Sequence, residues 1–180
     1  SEIMERENKD MIVNMLYVRS SLERANESRR EMEAVNVKLL KQSETDQMTG
    51  LANRYRLNDY SDKVLDYCYE HRLPLAMEIL DIDFFKQYND NYGHQQGDEC
   101  IIAIADELKK MEDRQTFCAR YGGDEFIIIY AGASAEEVYA KAAALRQNIM
   151  DLKLEHLYSK ALPIVTISQG ISYGVPENGN

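Results

Sequence analysis

The stretch CARYGGDEFIIIY, residues 118–130, constrains the fold of this chain more than any other. Phe126, Ile127, Ile128, Ile129 and Tyr130 are strand formers, and Gly122 and Gly123 interrupt an otherwise sheet-like run. A two-residue Gly-Gly connection between apolar runs predicts a tight β-hairpin, because glycine takes positive φ at both central positions with no Cβ to clash. Asp124 and Glu125 then open the second strand. Side chains alternate faces along a strand, so these two acids reach one spot together only if the backbone is locally distorted.

Acids at the centre of a sheet need counter-charge, and the chain is short of it. It holds 31 Asp and Glu against 21 Lys and Arg, a formal net charge of -10. That balance disfavours a nucleic-acid partner, since phosphate backbones are held by clustered Lys and Arg. An acidic protein handles phosphates through a cation, usually Mg²⁺, whose hard ligands are carboxylates and backbone carbonyls. A length of 180 residues with 44% hydrophobic content fits one ordinary globular domain plus an appendage. No run of about 18 apolar residues is present and the start carries no signal-peptide pattern, so no membrane segment is expected in this chain. Cys68, Cys100 and Cys118 lack CxxC spacing. This argues against a disulfide framework or zinc site and fits a reducing cytoplasm.

Residues 1–44 differ from the rest, with no Gly or Pro and many Glu, Arg, Lys and Asn. Met4, Met11, Met15, Val18, Leu22, Ala25, Met32 and Leu39 recur at steps of three and four, interrupted by Asn8, Arg29 and Asn36. This heptad seam predicts one helix of roughly 60 Å paired with its twin in a coiled coil. A single amphipathic helix packed on its own domain is the alternative, and the polar remaining faces speak against it. Residues 45–180 form the second region. Helical spacing runs from Asn53 towards Leu73, with Leu57, Tyr60, Val64 and Leu65 as core contacts. LPLAMEILDID reads as a buried strand ending in carboxylates. A short helix, a Gly-containing turn and a longer helix follow, the last with Ile101, Ile102, Ile104, Ala105 and Leu108 inward. After the hairpin, Ser134 and Glu137 have capping-box spacing at the start of another helix, and a strand lies around LPIVTISQGISYGV. The order predicts an α/β domain with a mixed central sheet flanked by helices.

Asp81 and Asp83 end the first strand, where open α/β sheets place ligands. Two strands ending side by side, one with Asp81 and the other with Asp124 or Glu125, gather two or three carboxylates. Unshielded, such acids repel and raise one another's pKa, and a divalent cation removes that conflict. A purely structural role as turn or helix caps suits Asp83 well and Asp81 poorly.

The residues RYGGDEF, 120–126, resemble the signature of the GGDEF family of diguanylate cyclases. DQMTGLANR is similar to that family's domain-opening motif, with Met48 where Leu is usual, and DIDFFKQYNDNYGHQQGDE resembles the stretch between them. The likeness covers residues 46–174 and implies a fold like a nucleotidyl cyclase or polymerase palm. The activity it implies is condensation of two GTP into cyclic di-GMP with release of two pyrophosphates. It further implies Mg²⁺ at Asp81, the backbone carbonyl of Ile82 and Asp124, with Glu125 beside the metal. By the same resemblance Asp124 accepts the proton of the attacking ribose hydroxyl, and Lys86 stabilises charge on the α-phosphoryl group. Asn89, His94 and Asp98 match nucleotide-binding positions, and Gly122 and Gly123 fall where the backbone passes close to the nucleotide. Guanine offers N1–H and N2–H donors side by side, which one carboxylate such as Asp98 accepts together, whereas adenine carries an acceptor at N1.

Taken singly, His94 fits a turn or cap, the Asn89-Asp90 pair a helix end and Lys86 a solvated lysine. Their ordered spacing around the acids carries the functional reading. Tyr55, Tyr60, Tyr67 and Tyr69 are read as packing and surface residues. Each domain of the family binds one GTP, so the resemblance implies a homodimer, with residues 1–44 as a signalling helix that raises the effective concentration of the second domain. The expected sensor lies upstream and outside this chain, the expected location is the cytoplasm, and such a sensor is a route to membrane attachment of a longer protein. Three departures stand out. Asp113 and Thr116 occupy the positions of the Arg-x-x-Asp product-inhibition site of some members, which predicts no feedback there. The family continues into a further helix after the last strand, and this chain ends at Asn180 without it. Gln169 also stands where a core side chain is usual. A non-catalytic GTP- or cyclic-dinucleotide-binding regulatory module is the alternative reading, and a dimerisation element that only relays signals is a second.

Overall fold

A computed structural model describes the backbone of residues 2–177 and the side chains of residues 9–177 other than 10 and 40–42. The chain divides into two units, Ser1–Ser43 and Glu44–Asn180. The first is a single helix, α1 (Glu2–Gln42). At 1.5 Å per residue its 41 residues span about 60 Å. Absence of Gly and Pro lets it run unbroken, and Arg19–Glu23 and Arg29–Glu33 pair along its surface at i,i+4. The seam side chains Met11, Met15, Val18, Leu22, Met32 and Leu39 are exposed. Met4 and Asn8 lie outside the described side chains.

The second unit runs α2 (Arg54–His71), β1 (Leu75–Ile82), α3 (Phe85–Tyr92), α4 (His94–Met111), β2 (Thr116–Gly122), β3 (Glu125–Ala131), α5 (Ala135–Asp151) and β4 (Ile167–Gly174). The sheet order is β2-β3-β1-β4. Among the described residues its three pairings are antiparallel, and the one parallel contact is an isolated bridge between Ala52 and Ala119. Because β1 and β2 both oppose β3, they run in the same direction with β3 inserted between them, a split β-α-β arrangement. Local signals explain the helix ends. Asn53 caps α2 by accepting from the Arg56 amide, and Ser134 with Glu137 closes a reciprocal capping box on α5.

The sheet is buried most fully on the face under α4 and α5. There Ala76, Leu80 and Ile82 of β1 meet Phe126, Ile128, Ile104, Leu108 and Leu145. A smaller core under α2 holds Leu57, Val64, Cys68, Ala119 and Ile129, with Tyr60 stacked on Phe117 at 4.0 Å. Two expectations need correction. LPLAMEILDID is not buried throughout, since Met77 and Ile79 are 43% and 49% exposed while their neighbours alternate inward. The period of two decides this, because β1 is covered on one face along its whole length and on the other only in part. Ile102 likewise points outward at 36% exposure, because α4 buries the stripe through Ile101, Ile104, Ala105 and Leu108, and position 102 falls off it.

Glu78 is fully buried on the α5 side of β1. Tyr130 Oη donates to it at 2.6 Å and Gln169 Nε2 at 2.6 Å, and Gln169 Nε2 also reaches the Ala142 carbonyl at 2.9 Å. This explains a polar residue at 169: it satisfies an acid that would otherwise be stranded in the core. Burial pushes the Glu78 carboxyl above its ordinary value, against the lowering effect of those two hydrogen bonds.

Candidate active site

The site begins where β1 ends. In the β1–β3 register Asp81 faces Glu125, so the turn preceding Glu125 lies beside the end of β1. The turn differs from the expected Gly-Gly connection. Gly122 is the last residue of β2 and pairs with Glu125, and Gly123 with Asp124 forms the two-residue link. Only Gly123 has positive φ, at 53°. The cause is an irregularity between Arg120 and Gly122, which adds one residue to β2 and shifts the turn by one position. This is the local distortion that the alternation rule required. Asp124 leaves the strand, and its carboxylate comes close enough to that of Asp81 to raise the Asp81 pKa. Asp81 stays accessible to solvent, yet partial burial first, then the adjacent Asp124 carboxylate and the charge of Asp83, push its carboxyl up to about 6. The Ile82 backbone amide opposes the rise.

Asp83 is committed elsewhere. Its carboxylate accepts from Thr166 Oγ1 at 2.7 Å and from Ser168 Oγ, and its amide donates to the Thr166 carbonyl at 2.9 Å. It ties the end of β1 to the start of β4.

Arg120 holds the turn. Its Nε and Nη2 donate to the Gly123 carbonyl at 3.0 and 2.8 Å, and its Nη1 reaches Asp46 Oδ1 and Oδ2 at 3.2 and 3.3 Å. Burial would raise the Asp46 carboxyl, but hydrogen bonds from Thr49 and Arg120 outweigh it and hold the group below its usual range. Thr49 supplies both its amide, at 2.9 Å, and its hydroxyl, at 2.7 Å. A planar guanidinium suits this double duty because its donors form a rigid fork. Sequence reasoning gave neither Asp46 nor Arg120 a role of its own, although both stand inside the quoted motifs.

The remaining candidates lie on α3 and α4. Phe84, the N-cap of α3, is left-handed at φ 54°, a conformation that costs a non-glycine residue about 1–2 kcal/mol. Lys86 sits exposed in the first turn of α3 and makes no ion pair among the described residues. Gly93, at φ 87°, breaks the chain between α3 and α4, so His94 and Asp98 fall exposed in the first turns of α4. Asn89 points across to Gly97, where an added Cβ would stand 1.8 Å from Asn89 Oδ1. That oxygen is buried and has no partner among the described residues. A buried polar atom without a partner is rare and marks a group that awaits one. Away from these elements, Lys141 Nζ bonds Asp113 Oδ2 and Thr116 Oγ1, each at 2.8 Å, and so occupies both residues of the expected non-inhibitory position.

The structure therefore joins Asp81 with Asp124 and sets Asn89 against the glycine preceding Asp98. Gly122 and Gly123 form the end of β2 and the turn beside the acids. Among the described residues no three His, Cys, Asp or Glu side chains gather as a metal cage. The donor set is the facing pair of carboxylates, with Ile82 adjoining.

An antiparallel sheet whose central strand and neighbouring turn bring two carboxylates together, beside a glycine-linked helix pair, defines a class of α/β domain built around a carboxylate pair. Within that class the comparisons are specific. The family model described as diguanylate cyclase, GGDEF domain, matches residues 43–180. A probable diguanylate cyclase, DgcC, of Escherichia coli is 34% identical over 133 residues, 74% of this chain and 34% of its own length. The diguanylate cyclase DgcP of Pseudomonas aeruginosa is 34% identical over 154 residues, 84% of this chain and 23% of its own. The crystal structure of the coiled coil and GGDEF domain of DgcB from Caulobacter crescentus, in complex with c-di-GMP, superposes with a TM-score of 0.69 at 30% identity. It covers 86% of this chain and 83% of that one. The chain belongs to the GGDEF family. It spans about a third or less of the length of the curated relatives it matches.

Proposed function

We propose that this chain is a diguanylate cyclase module that condenses two GTP into cyclic di-GMP across a homodimer. The observation that carries the reading is the contact between Asp81 and Asp124. Two acids brought together at a strand end, with the Asp81 carboxyl pushed up by its neighbour, form a site in want of a cation, since like charges at close range oppose ionisation. The donors present are carboxylate oxygens and, at Ile82, a backbone carbonyl, which fit a hard divalent cation such as Mg²⁺ with coordination positions left for phosphate oxygens. When bound, that cation supplies charge neutralisation for the carboxylates and for the triphosphate.

The chain's own residues divide the remaining work. Asp124, on the turn, accepts the proton of the attacking ribose hydroxyl. Lys86, unpaired at the start of α3, meets negative charge growing on the α-phosphoryl group. Asn89 offers its buried, unpartnered oxygen to the base, while Asp98 accepts the paired donors that distinguish guanine from adenine. His94, at the first position of α4, would contact the nucleotide, Glu125, opposite Asp81 in the strand register, would lie beside the cation, and the bare backbone of Gly122 and Gly123 would let the nucleotide approach closely. Phosphoryl transfer needs alignment more than covalent help, so a braced turn and a held helix are the right structural means.

Each unit of this kind binds one GTP, and bond formation needs a second facing it. The exposed seam of α1 supports pairing with its twin, which supplies that second site at high effective concentration. The test is incubation of the chain with GTP and Mg²⁺ and quantification of pyrophosphate and cyclic dinucleotide. Product is expected from the wild type, and Asp124→Ala should reduce turnover by at least about a thousandfold while GTP binding persists. Full turnover in that variant removes Asp124 from the chemistry. GTP binding without any product in the wild type would favour a regulatory module instead.

A further inference from the structure

His156 is a fully buried histidine that the chemistry above does not use. It lies in the segment joining α5 to β4, residues 152–166, which folds back on itself. Glu155 and Ile164 form an antiparallel bridge, the Val165 amide donates to Leu154 at 2.8 Å and the His156 amide donates to Pro163 at 3.0 Å. The imidazole is thereby delivered to one place. Its Nε2 stands 3.0 Å from the carbonyl of Phe84, 72 positions earlier in the chain. A carbonyl only accepts, so Nε2 carries a proton. Nδ1 is buried with no partner among the described residues. Tyr88 meets the ring edge-on at 5.1 Å and Tyr92 at 6.3 Å, so the imidazole is boxed by aromatic rings with a single polar outlet.

That outlet is the left-handed residue from which α3 departs. Phe84 has no side-chain capping bond, and its carbonyl also accepts the Tyr88 amide at 3.0 Å, so both of its lone pairs are engaged. The same segment grips α3 at its far end, where Tyr92 Oη accepts from the Leu157 amide at 3.1 Å and donates to Glu155 at 3.4 Å. Residues 152–166 thus clasp α3 at both ends, and α3 carries Lys86 and Asn89.

We propose that His156 is a positioning residue for the nucleotide chemistry: by donating from Nε2 to the Phe84 carbonyl it sets the angle at which α3 presents Lys86 and Asn89. The inference rests on the role given to those two residues under Proposed function. An apolar side chain fills the aromatic box yet leaves the Phe84 carbonyl without its second donor. Glutamine carries an amide N–H where the imidazole Nε2–H stood, and so replaces the missing donor.

The test compares His156→Leu, His156→Gln and, as a control for stability alone, Leu145→Ala in the core beneath α5, each assayed well below its unfolding temperature. His156→Leu is expected to lower kcat for cyclic dinucleotide formation at least about tenfold and to raise the GTP KM, because misplacing α3 disturbs both groups. His156→Gln should recover to within about threefold of wild type, and Leu145→Ala should lose stability with kcat and KM close to wild type. If His156→Leu behaves like the Leu145 control, or glutamine does no better than leucine, the proposal falls. Nitrogen-15 NMR of the wild type gives an independent check that needs no variant to fold: a His156 ring with no proton on Nε2 overturns the assignment. A wild type that forms no product defeats the proposed function instead. The clasp is then decided by the ring tautomer and by amide hydrogen exchange along α3, expected to be slower with glutamine than with leucine at 156.

Discussion

At the scale of single residues, the informative positions are those whose environment leaves no latitude. Gly97 faces Asn89 so closely that any Cβ must displace the amide. Gly97→Ala is therefore expected to weaken GTP affinity by about tenfold, roughly 1.4 kcal/mol, despite alanine's better helix propensity, and titration of GTP binding measures it. Unchanged affinity would detach Asn89 from the base. Glu78 supplies a pH signature. Its folded-state value is raised above the ordinary 4.5, with burial as the leading cause. The folded protein therefore holds this proton more tightly than the unfolded chain does. That contribution is complete below the unfolded value and is lost as pH rises through the folded one. Glu78→Gln removes the ionisation, so its stability relative to wild type should improve steadily from about pH 4.5 towards neutrality. Urea unfolding across that range reads the difference, and parallel curves would show that Glu78 does not carry it.

At the scale of elements, the hairpin shows how a local signal and a distant contact divide the work. Two glycines and a following strand announce a turn from within thirteen residues, 118–130. The residue at its tip depends on one irregularity in β2 and on Arg120, whose partner Asp46 lies 74 positions away. Lysine at 120 keeps the charge but loses the fork that reaches the Gly123 carbonyl and Asp46 together. Arg120→Lys should therefore lower kcat by about tenfold or more with a smaller change in GTP affinity, since what loosens is the turn bearing Asp124. Steady-state kinetics against GTP separates the two, and a pure affinity loss would contradict the bracing role. The capping box of α5 and the Asn53 cap of α2 are the opposite case, legible from a few neighbouring letters because every bond they make is local.

At the scale of the whole molecule, two units with different surfaces call for different partners. The globular unit encloses its own cores, whereas α1 displays Met11, Met15, Val18, Leu22, Met32 and Leu39 to solvent. An apolar seam of that length favours pairing with a second helix of the same kind. The chain is expected to be dimeric at micromolar concentration by light scattering, and Leu22→Glu to shift it to monomer with a parallel loss of product formation. A monomeric wild type would remove α1 as the source of the second site. Fully active Leu22→Glu monomers would remove the need for pairing through it.

The sequence by itself determined the long first helix, found at Glu2–Gln42, the strand that carries Asp81, the glycine hairpin and the helix ends, together with the motifs that place the chain in its family. Each of these is carried by periodicity, φ demands or capping chemistry within a few residues, and so is readable along the chain. Only the tertiary structure decided which acid leaves its strand to meet Asp81, which arginine holds the turn, why Gln169 is polar and that His156 reaches Phe84. Those outcomes join positions 43 to 91 residues apart through strand register and loop closure, quantities that no short stretch of letters encodes.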